Sequence, residues 1–386
     1  MTAPAQTPVS LRTLLDEMIE RDASDLHISA GDRPKLRVDG DIVNSSIEHV
    51  LTPRDTLQLA YSVLTENQKK RFEMEDELDF SFGIANLSRF RGNVFKQRGC
   101  VSMVIRCIPF HIKTFNDLNL PPVIAGFADR PRGLVLVTGP TGSGKSTTLA
   151  AMIDRINETK PLHILTIEDP IEYLHFHKTA MINQREVGTD VNNFLDGLRS
   201  ALREDPDVIL LGEMRDLDSI SITLTLAETG HLVFATLHTN DASQALDRIV
   251  DVFPAERRDQ IQIQLAGTLQ GVISQRLLPA EGGGRVAAYE VLMANDAVRN
   301  LVREGKSRQL RNAMISGQQE GMQTIEMDLA RLVSSGIISF DTAAEASQYP
   351  KEILAQAATM RAQMQAQATV AAGQSASTGA GEFVGA

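Results

Sequence analysis

Residues 133–146 read GLVLVTGPTGSGKS, and this stretch decides the fold of the chain. Its first six residues form an apolar run that predicts a buried strand, and a helical pattern follows Lys145. Between them the sequence matches G-x-x-x-x-G-K-[ST], the P-loop pattern, in which a glycine-rich turn joins a strand to a helix. Because strand, loop and helix agree, we predict a nucleotide-binding α/β domain rather than a glycine-rich turn without a ligand.

Each defined position of the P-loop pattern has a chemical role in binding phosphates. Gly139, Gly142 and Gly144 let the backbone bend around phosphates, and the helix N-terminus adds partial positive charge. Lys145 is expected to reach the β- and γ-phosphates of ATP, and the Ser146 hydroxyl is expected to bind Mg²⁺. The predicted nucleotide contacts are Gly139, Pro140, Thr141, Gly142, Ser143, Gly144, Lys145, Ser146 and Thr147.

Further apolar runs at 163–167, 208–211 and 232–236 predict the other buried strands of a mostly parallel sheet. The run at 208–211 is followed by Gly212 and Glu213, which places a carboxylate at the carboxyl end of a strand, where ligands bind in open sheets. Glu213 is therefore predicted to act on Mg²⁺, directly or through water, or on the attacking water.

An acidic cluster follows the run at 163–167 and contains Glu168, Asp169 and Glu172. Carboxylates this close repel one another unless a cation or a water network compensates them. The cluster is a candidate metal and general-base site, and the alternative is a solvated acidic turn.

Two histidines flank the run at 232–236. His238 follows it beside Thr239, where a side chain could hydrogen-bond the γ-phosphate and respond to its loss. His231 precedes the run and could be structural or functional. The spacing of the two histidines, without cysteine partners, does not match a zinc site.

The rest of the chain suggests a second, smaller domain. Near the N-terminus an amphipathic helical pattern is followed by period-two strand patterns up to Ile108, which predicts an α+β domain. Prolines at 109, 121 and 122 bracket a predicted linker at 111–125. Segments around 242–278 and 297–305 have helix-like patterns, and the composition after Tyr349 predicts a low-complexity, mostly disordered tail at 350–386.

Composition excludes several functional classes. The formal net charge of −11 disfavours a broad nucleic-acid surface, which needs clustered Lys and Arg. The two cysteines form neither a disulfide framework nor a metal-ligand spacing. No apolar run approaches a membrane span and no signal peptide is apparent, so we expect a cytoplasmic protein.

Four segments in this order, GPTGSGKS, ILTIEDPIEY, LREDPDVILLGEMRD and TGHLVFATLHT, resemble the Walker A motif, Asp box, Walker B motif and His box of the secretion and pilus ATPases. The match is specific and covers all but the termini. It continues through ASDLHIS at 23–29, RFRGNVF at 89–95, DRIVDVFP at 247–254, QLAGTLQGVISQRL at 264–277 and GGGRVAAYEVL at 282–292.

The resemblance implies more than the residues alone. It implies a PAS-like N-terminal domain (1–110), a RecA-like ATPase domain with C-terminal helices (126–349), and a homohexameric ring. It favours Glu172 as the general base, with Glu168 as the alternate, and makes Arg91 and Arg106 candidate arginine fingers. The implied partner is an inner-membrane pilus platform protein, with a second retraction ATPase as a further candidate.

The segment AVRNLVRE at 297–304 is similar to a signature of the pilus-retraction branch, with valine at two isoleucine positions. Helical spacing predicts that Ala297, Val298, Leu301 and Val302 pack on the core, while Arg299, Asn300, Arg303 and Glu304 face a partner. The resulting prediction is an ATPase motor for type IV pilus retraction. An accessory retraction ATPase and a pilus-extension or type II secretion ATPase are the alternatives.

Overall fold

The computed structural model describes residues 9–38, 40–85, 87–108 and 112–361. The chain divides into two compact units. The first comprises residues 1–111 with 172–174, and the second comprises residues 112–171 and 175–386.

The first unit is an antiparallel sheet with three helices. Its six strands lie in the order β3-β2-β1-β6-β5-β4. The helices are α1 (Leu11–Glu20), α2 (Pro53–Tyr61) and α3 (Glu66–Glu75), and the strands are β1 (Asp25–Ile28), β2 (Lys35–Val38), β3 (Asp41–Asn44), β4 (Glu77–Ile84), β5 (Ser88–Gln97) and β6 (Cys100–Ile108). The predicted small α+β fold is present, because one apolar face of α1 and alternate strand residues share a single core.

The second unit contains a seven-stranded sheet in the order β13-β12-β7-β11-β10-β8-β9. All neighbours are parallel except β12 and β13. The strands are β7 (Gly133–Thr138), β8 (His163–Glu168), β9 (Met181–Glu186), β10 (Val208–Leu211), β11 (Leu232–Leu237), β12 (Leu269–Pro279) and β13 (Arg285–Met293). The predicted α/β class with a mostly parallel sheet is confirmed.

Helices cover both faces of this sheet. They are α4 (Pro122–Ala128), α5 (Lys145–Thr159), α6 (Phe194–Ala201), α7 (Leu217–Glu228), α8 (Ala242–Asp251), α9 (Ala255–Thr268), α10 (Asp296–Arg303), α11 (Leu310–Ser316), α12 (Ile325–Ser334), α13 (Phe340–Glu345) and α14 (350–361), with short 3-10 helices at Ser307–Gln309 and Gln318–Glu320. Alternate residues of β7 enter different cores: Leu134 and Leu136 pack on one side and Val135 and Val137 on the other. This two-sided burial explains the unbroken apolar runs in the sequence.

Three expectations need correction. The predicted linker at 111–125 contains the start of α4, because Leu120 and Ile124 are buried in a core cluster. The helix-like pattern at 242–278 is helical only to Thr268, and β12 follows it. There Gly271 packs so closely that a Cβ would lie 2.3 Å from the Phe127 ring.

The first twelve residues of the predicted tail are helical. Residues 350–361 form α14, with Ile353 and Ala357 buried one helical turn apart, so this segment has an apolar face with a place in the core. Residues 362–386, the rest of the predicted tail, lie outside the described residues.

Helix α10 differs from its predicted faces at two positions. Val298 and Val302 are buried as expected, but Ala297 is exposed. Arg299 is half-buried and donates to the carbonyls of Ala266 (2.6 Å) and Gly267 (3.2 Å) at the end of α9. Arg299 therefore binds the last turn of its neighbouring helix, whereas the prediction gave it only to the partner-facing side of α10.

Candidate active site

The P-loop joins β7 to α5 as the sequence predicts. Gly139 and Gly144 have φ angles of 145° and 91°, in the region that favours glycine. A Cβ on Gly139 would lie 2.4 Å from the carbonyl oxygen of Gln275, so this position also lacks room for a side chain. The loop therefore follows a tight path that places Lys145 at the N-terminus of α5.

Lys145 is turned back onto this loop. Its Nζ donates to the carbonyls of Gly139 (2.8 Å) and Pro140 (3.0 Å), and only 9% of the residue is exposed. Burial lowers the pKa of Lys145, and the negative charge of Glu213 opposes that change. Glu213 is thus close enough to act electrostatically on the P-loop lysine.

Two buried hydroxyl groups show how a nucleotide would fit. Ser143 Oγ within the loop and Thr239 Oγ1 after β11 have no hydrogen-bond partner. Buried polar atoms are rarely left unpaired; phosphate oxygens could accept from both hydroxyls, and metal-bound water could donate to them. Together with the backbone amides of the loop, this donor set suits an anionic triphosphate.

Glu213 lies at the carboxyl end of β10, between two basic side chains. Its carboxylate accepts from Arg215 Nε at 2.8 Å and lies 3.4 Å from His238 Nε2. A Cβ on the preceding Gly212 would lie 3.3 Å from the Cα of Glu168, so β8 and β10 approach closely here. The adjacent strands β7, β11, β10 and β8 thereby bring Lys145, His238, Glu213 and Glu168 to one edge of the sheet.

The two histidines occupy opposite ends of β11. Leu237 pairs with Thr138, so His238 follows the strand beside the P-loop. Leu232 pairs with Gly133, so His231 precedes it at the far edge, where its Nδ1 lies 2.9 Å from the Leu226 carbonyl of α7. A strand of this length separates them by roughly 20 Å. The structure therefore places His231 away from the site, in contact with the end of a helix.

Two members of the predicted acidic cluster, Glu168 and Glu172, belong to different compact units. Glu168 accepts a hydrogen bond from Thr166 Oγ1 at 2.6 Å and one from Gln184 Nε2 at 3.3 Å, so its carboxylate is anchored at the end of β8. Glu172 is exposed and belongs to the first compact unit. The role of Glu172 as general base stays a prediction.

Arg91 and Arg106 are directly paired across β5 and β6 in the first unit, and both are exposed. Arg106 Nε donates to Asp25 Oδ1 at 2.8 Å. Burial opposes ionisation of Asp25, but hydrogen bonds from Ser24 and Arg106 outweigh it and lower the Asp25 pKa. Arg106 thus has an intramolecular ion pair, and among the described residues Arg91 has no comparable one.

The predicted Mg²⁺ ligands are Ser146, which is exposed at the start of α5, and Glu213. Among the residues that the structure describes, no three His, Cys, Asp or Glu side chains group as a metal site. Mg²⁺ in phosphate-binding sites takes one or two protein ligands, and phosphates and water supply the others. A pair such as Ser146 and Glu213 fits that pattern.

Sequence reasoning missed two residues at the site. Gln275 of β12 is buried against the P-loop, and Arg215 pairs with Glu213. Gln275 was not apparent from the sequence, because β12 also contains Gln270, Ser274 and Arg276 and the segment was interpreted as helix-like. Arg215 lies only two residues after Glu213, and its type alone did not distinguish it from a surface arginine.

The fold and site define a P-loop nucleotide-binding protein. Residues 4–282 match the family described as type II/IV secretion system protein. The chain is 50% identical over 343 residues to the type IV pilus retraction ATPase PilT of Pseudomonas aeruginosa, covering 89% of this chain and 99% of that protein. It is 40% identical over 331 residues to the type IV pilus ATPase PilU of the same organism, covering 86% of each.

A solved structure agrees. The crystal structure of the pilus retraction motor PilT with bound ADP superposes with a TM-score of 0.84 at 51% identity, covering 89% of this chain and 98% of that one. The chain therefore belongs to the type II/IV secretion system protein family and is an ATPase of that family. Within the described residues, no helix is both long enough and apolar enough to cross a membrane.

Proposed function

We propose that the chain is the hexameric motor that powers type IV pilus retraction, and with it twitching motility, by hydrolysing Mg-ATP. The observation that carries this proposal is the grouping of Lys145, Glu213 and His238 at the carboxyl edge of a sheet. The chain that holds this group is half identical to a retraction ATPase over nearly its whole length. Identity to the type IV pilus ATPase PilU is lower, at 40%, which favours the retraction motor over a PilU-like role.

Each of the two compact units is assigned to one of the predicted domain types. The second unit is the RecA-like ATPase domain, because parallel strands ending in a P-loop, an acidic residue and a polar sensor form one site. The first unit is PAS-like, and its antiparallel sheet presents Arg91 and Arg106. Domain limits of 1–110 and 126–349 stay predictions from the sequence, and α4 and α14 extend the second unit beyond the predicted limits.

The chemistry is attack of water on the γ-phosphorus of ATP. A water oxygen–phosphorus bond forms, the bond from the γ-phosphorus to the β,γ-bridging oxygen breaks, and ADP and phosphate leave. Glu172, or Glu168 as the alternate, accepts the proton of the attacking water, while Lys145 neutralises phosphate charge. Bound Mg²⁺ would supply further charge neutralisation, and Ser146 and Glu213 would hold it.

His238 would respond to loss of the γ-phosphate, and its contact with Glu213 in the same site supports this role. Arg91 and Arg106 would complete the site of a neighbouring subunit in a homohexameric ring. The ring would be cytoplasmic and would act on an inner-membrane platform protein, with a second retraction ATPase as a further candidate partner. Nucleic acid is not expected as a partner, given the net charge of −11.

A deletion strain tests the proposal. Cells that lack this chain should carry pili yet fail to move by twitching, and wild-type protein but not Lys145→Ala should restore movement. Loss of the pili themselves would favour an extension ATPase. Retained movement that weakens only under load would favour an accessory role.

A further inference from the structure

The β12–β13 hairpin, and Gln275 in particular, is packed against the P-loop. Gln275 lies on β12, which pairs in parallel with the P-loop strand β7. Its side chain is 3% exposed, so its amide must find partners inside the protein.

Gln275 joins two parts of the nucleotide loop. Its Nε2 donates to the Ser143 carbonyl at 2.7 Å, and its Oε1 accepts from Thr148 Oγ1 at 2.9 Å. Ser143 lies in the loop, and Thr148 lies in the first turn of α5. The amide therefore connects the loop to the helix that follows it.

Steric contact reinforces these bonds. A Cβ on Gly139 would lie 2.4 Å from the Gln275 carbonyl, and a Cβ on Gly144 would lie 2.7 Å from Gln275 Nε2. Both ends of the loop therefore rest on Gln275. Only a side chain with a donor and a strong acceptor of this reach satisfies both partners, because glutamate lacks the donor and methionine has no donor and only a weak acceptor.

We infer that Gln275 is a positioning residue that holds the P-loop in its phosphate-binding conformation before the nucleotide arrives. The inference rests on the proposed ATPase site and adds the residue that prepares it. Ordering a flexible loop on binding costs free energy, and a preorganised loop avoids that cost. Loss of Gln275 should therefore weaken nucleotide affinity more than it lowers turnover. Once ATP is bound, its phosphates hold the loop themselves.

The test compares Gln275→Met with Gln264→Met, which removes an exposed hydrogen bond from Gln264 Nε2 to Glu228, between α9 and α7. ADP affinity of the purified full chain is measured by calorimetry, together with kcat and KM for ATP. Gln275→Met should raise the Kd and KM about tenfold, the scale of one to two lost hydrogen bonds, and leave kcat within about threefold. Gln264→Met should match wild type.

Two outcomes would overturn the inference. One is a lower Tm with unchanged ADP affinity, which would make Gln275 merely structural, and the other is a kcat loss at unchanged KM. Should Gln275→Met fail to fold, Thr148→Val removes one of the two bonds and should raise Kd by about threefold. Nucleotide binding by the wild-type chain in the same series tests the proposed function separately.

Discussion

His238 Nε2 lies 3.4 Å from Oε1 of Glu213, and this contact joins the ends of two adjacent parallel strands. Arg215 approaches the other carboxylate oxygen at 2.8 Å. The negative charge of Glu213 therefore has two basic neighbours and also acts on Lys145. A change of charge at Glu213 should affect every charged group of the site.

Glu213→Gln should keep nucleotide binding and stop hydrolysis. The amide preserves the shape of the side chain but removes the charge that Mg²⁺ or the attacking water requires, at a cost of about 10²–10⁴ in kcat. Phosphate release and ADP affinity are measured on the same preparation. Glu228→Gln, an exposed carboxylate of α7, is the control, and normal hydrolysis by Glu213→Gln would show that its role is wrong.

The identity of the general base is tested by a pair of variants. Glu172→Gln should lower kcat by about 10²–10⁴ with little change in ADP affinity, because a base is lost and the shape is kept. Glu168→Gln should have a smaller effect, since an amide oxygen can still accept from Thr166 and Gln184. If the larger loss instead follows Glu168→Gln, the two assignments are exchanged.

The sequence was most informative where a strand is buried on both faces. The runs that became β7, β8, β10 and β11 are apolar throughout, and their carboxyl ends gave the correct edge for Lys145, Glu213 and His238. Parallel pairing places such ends together regardless of the sequence distance between them.

The sequence alone could not show which distant segments pair as strands. The segment at 269–277 has apolar residues at spacings that suit a helix or a strand, and only its pairing with β7 and β13 decides for the strand. The role of Gln275 follows from that pairing. The sequence left His231 open between a structural and a functional role, and the pairing of β11 with β7 places it at the end of the strand away from the P-loop.

If Arg91 of one subunit completes the nucleotide site of its neighbour, rings that mix two inactive variants should be partly active. Lys145→Ala subunits keep Arg91, and Arg91→Ala subunits keep Lys145, so one class of interface in a mixed ring has both groups. Mixing the two inactive proteins should restore part of the ATPase activity. The doubly substituted chain mixed with Lys145→Ala should stay inactive, and no recovery in rings shown to mix would argue against action in trans.

Glu290 gives the second unit a pH-dependent stability. It is 5% exposed and accepts from the Ala242 amide at 2.8 Å, at the start of α8. Burial raises the pKa of Glu290 to about 7, with the Asp241 and Glu326 charges adding to it and the Ala242 amide and the Arg311 charge opposing it. The folded state thus binds a proton more tightly than the unfolded state does.

Stability should therefore fall as pH rises from about 4.5 to about 7, because the carboxylate becomes charged in a buried site. Glu290→Gln keeps the acceptor for Ala242 and removes this titration. The Tm of the variant relative to wild type should be higher at pH 8 than at pH 5, by several degrees for a pKa difference worth on the order of 3 kcal/mol. A Tm difference independent of pH would contradict the assignment.

A substitution on helix α10 could impair pilus retraction without affecting ATP hydrolysis. Of its two arginines, Arg303 is the better residue to replace. Arg303 is exposed. Among the described residues, its only side-chain hydrogen bond runs from Nη1 to Asn300 Oδ1 of its own helix, at 2.7 Å. Arg299 instead binds the last carbonyls of α9, and burial lowers its pKa. Replacing both arginines at once would confuse a surface effect with loss of helix packing.

Arg303→Ala should keep ring assembly, Tm and basal ATPase near wild type while it impairs pilus retraction in cells, because it removes an exposed charge that only a partner could use. Arg299→Ala should lower the Tm by about 2–5 °C, since it leaves helix-end carbonyls without a cationic donor at a cost of about 1–2 kcal/mol. Arg248→Ala, an exposed arginine of α8, is the control for surface charge. Normal retraction with Arg303→Ala, or failure caused only by a broken ring or lost hydrolysis, would make α10 purely structural.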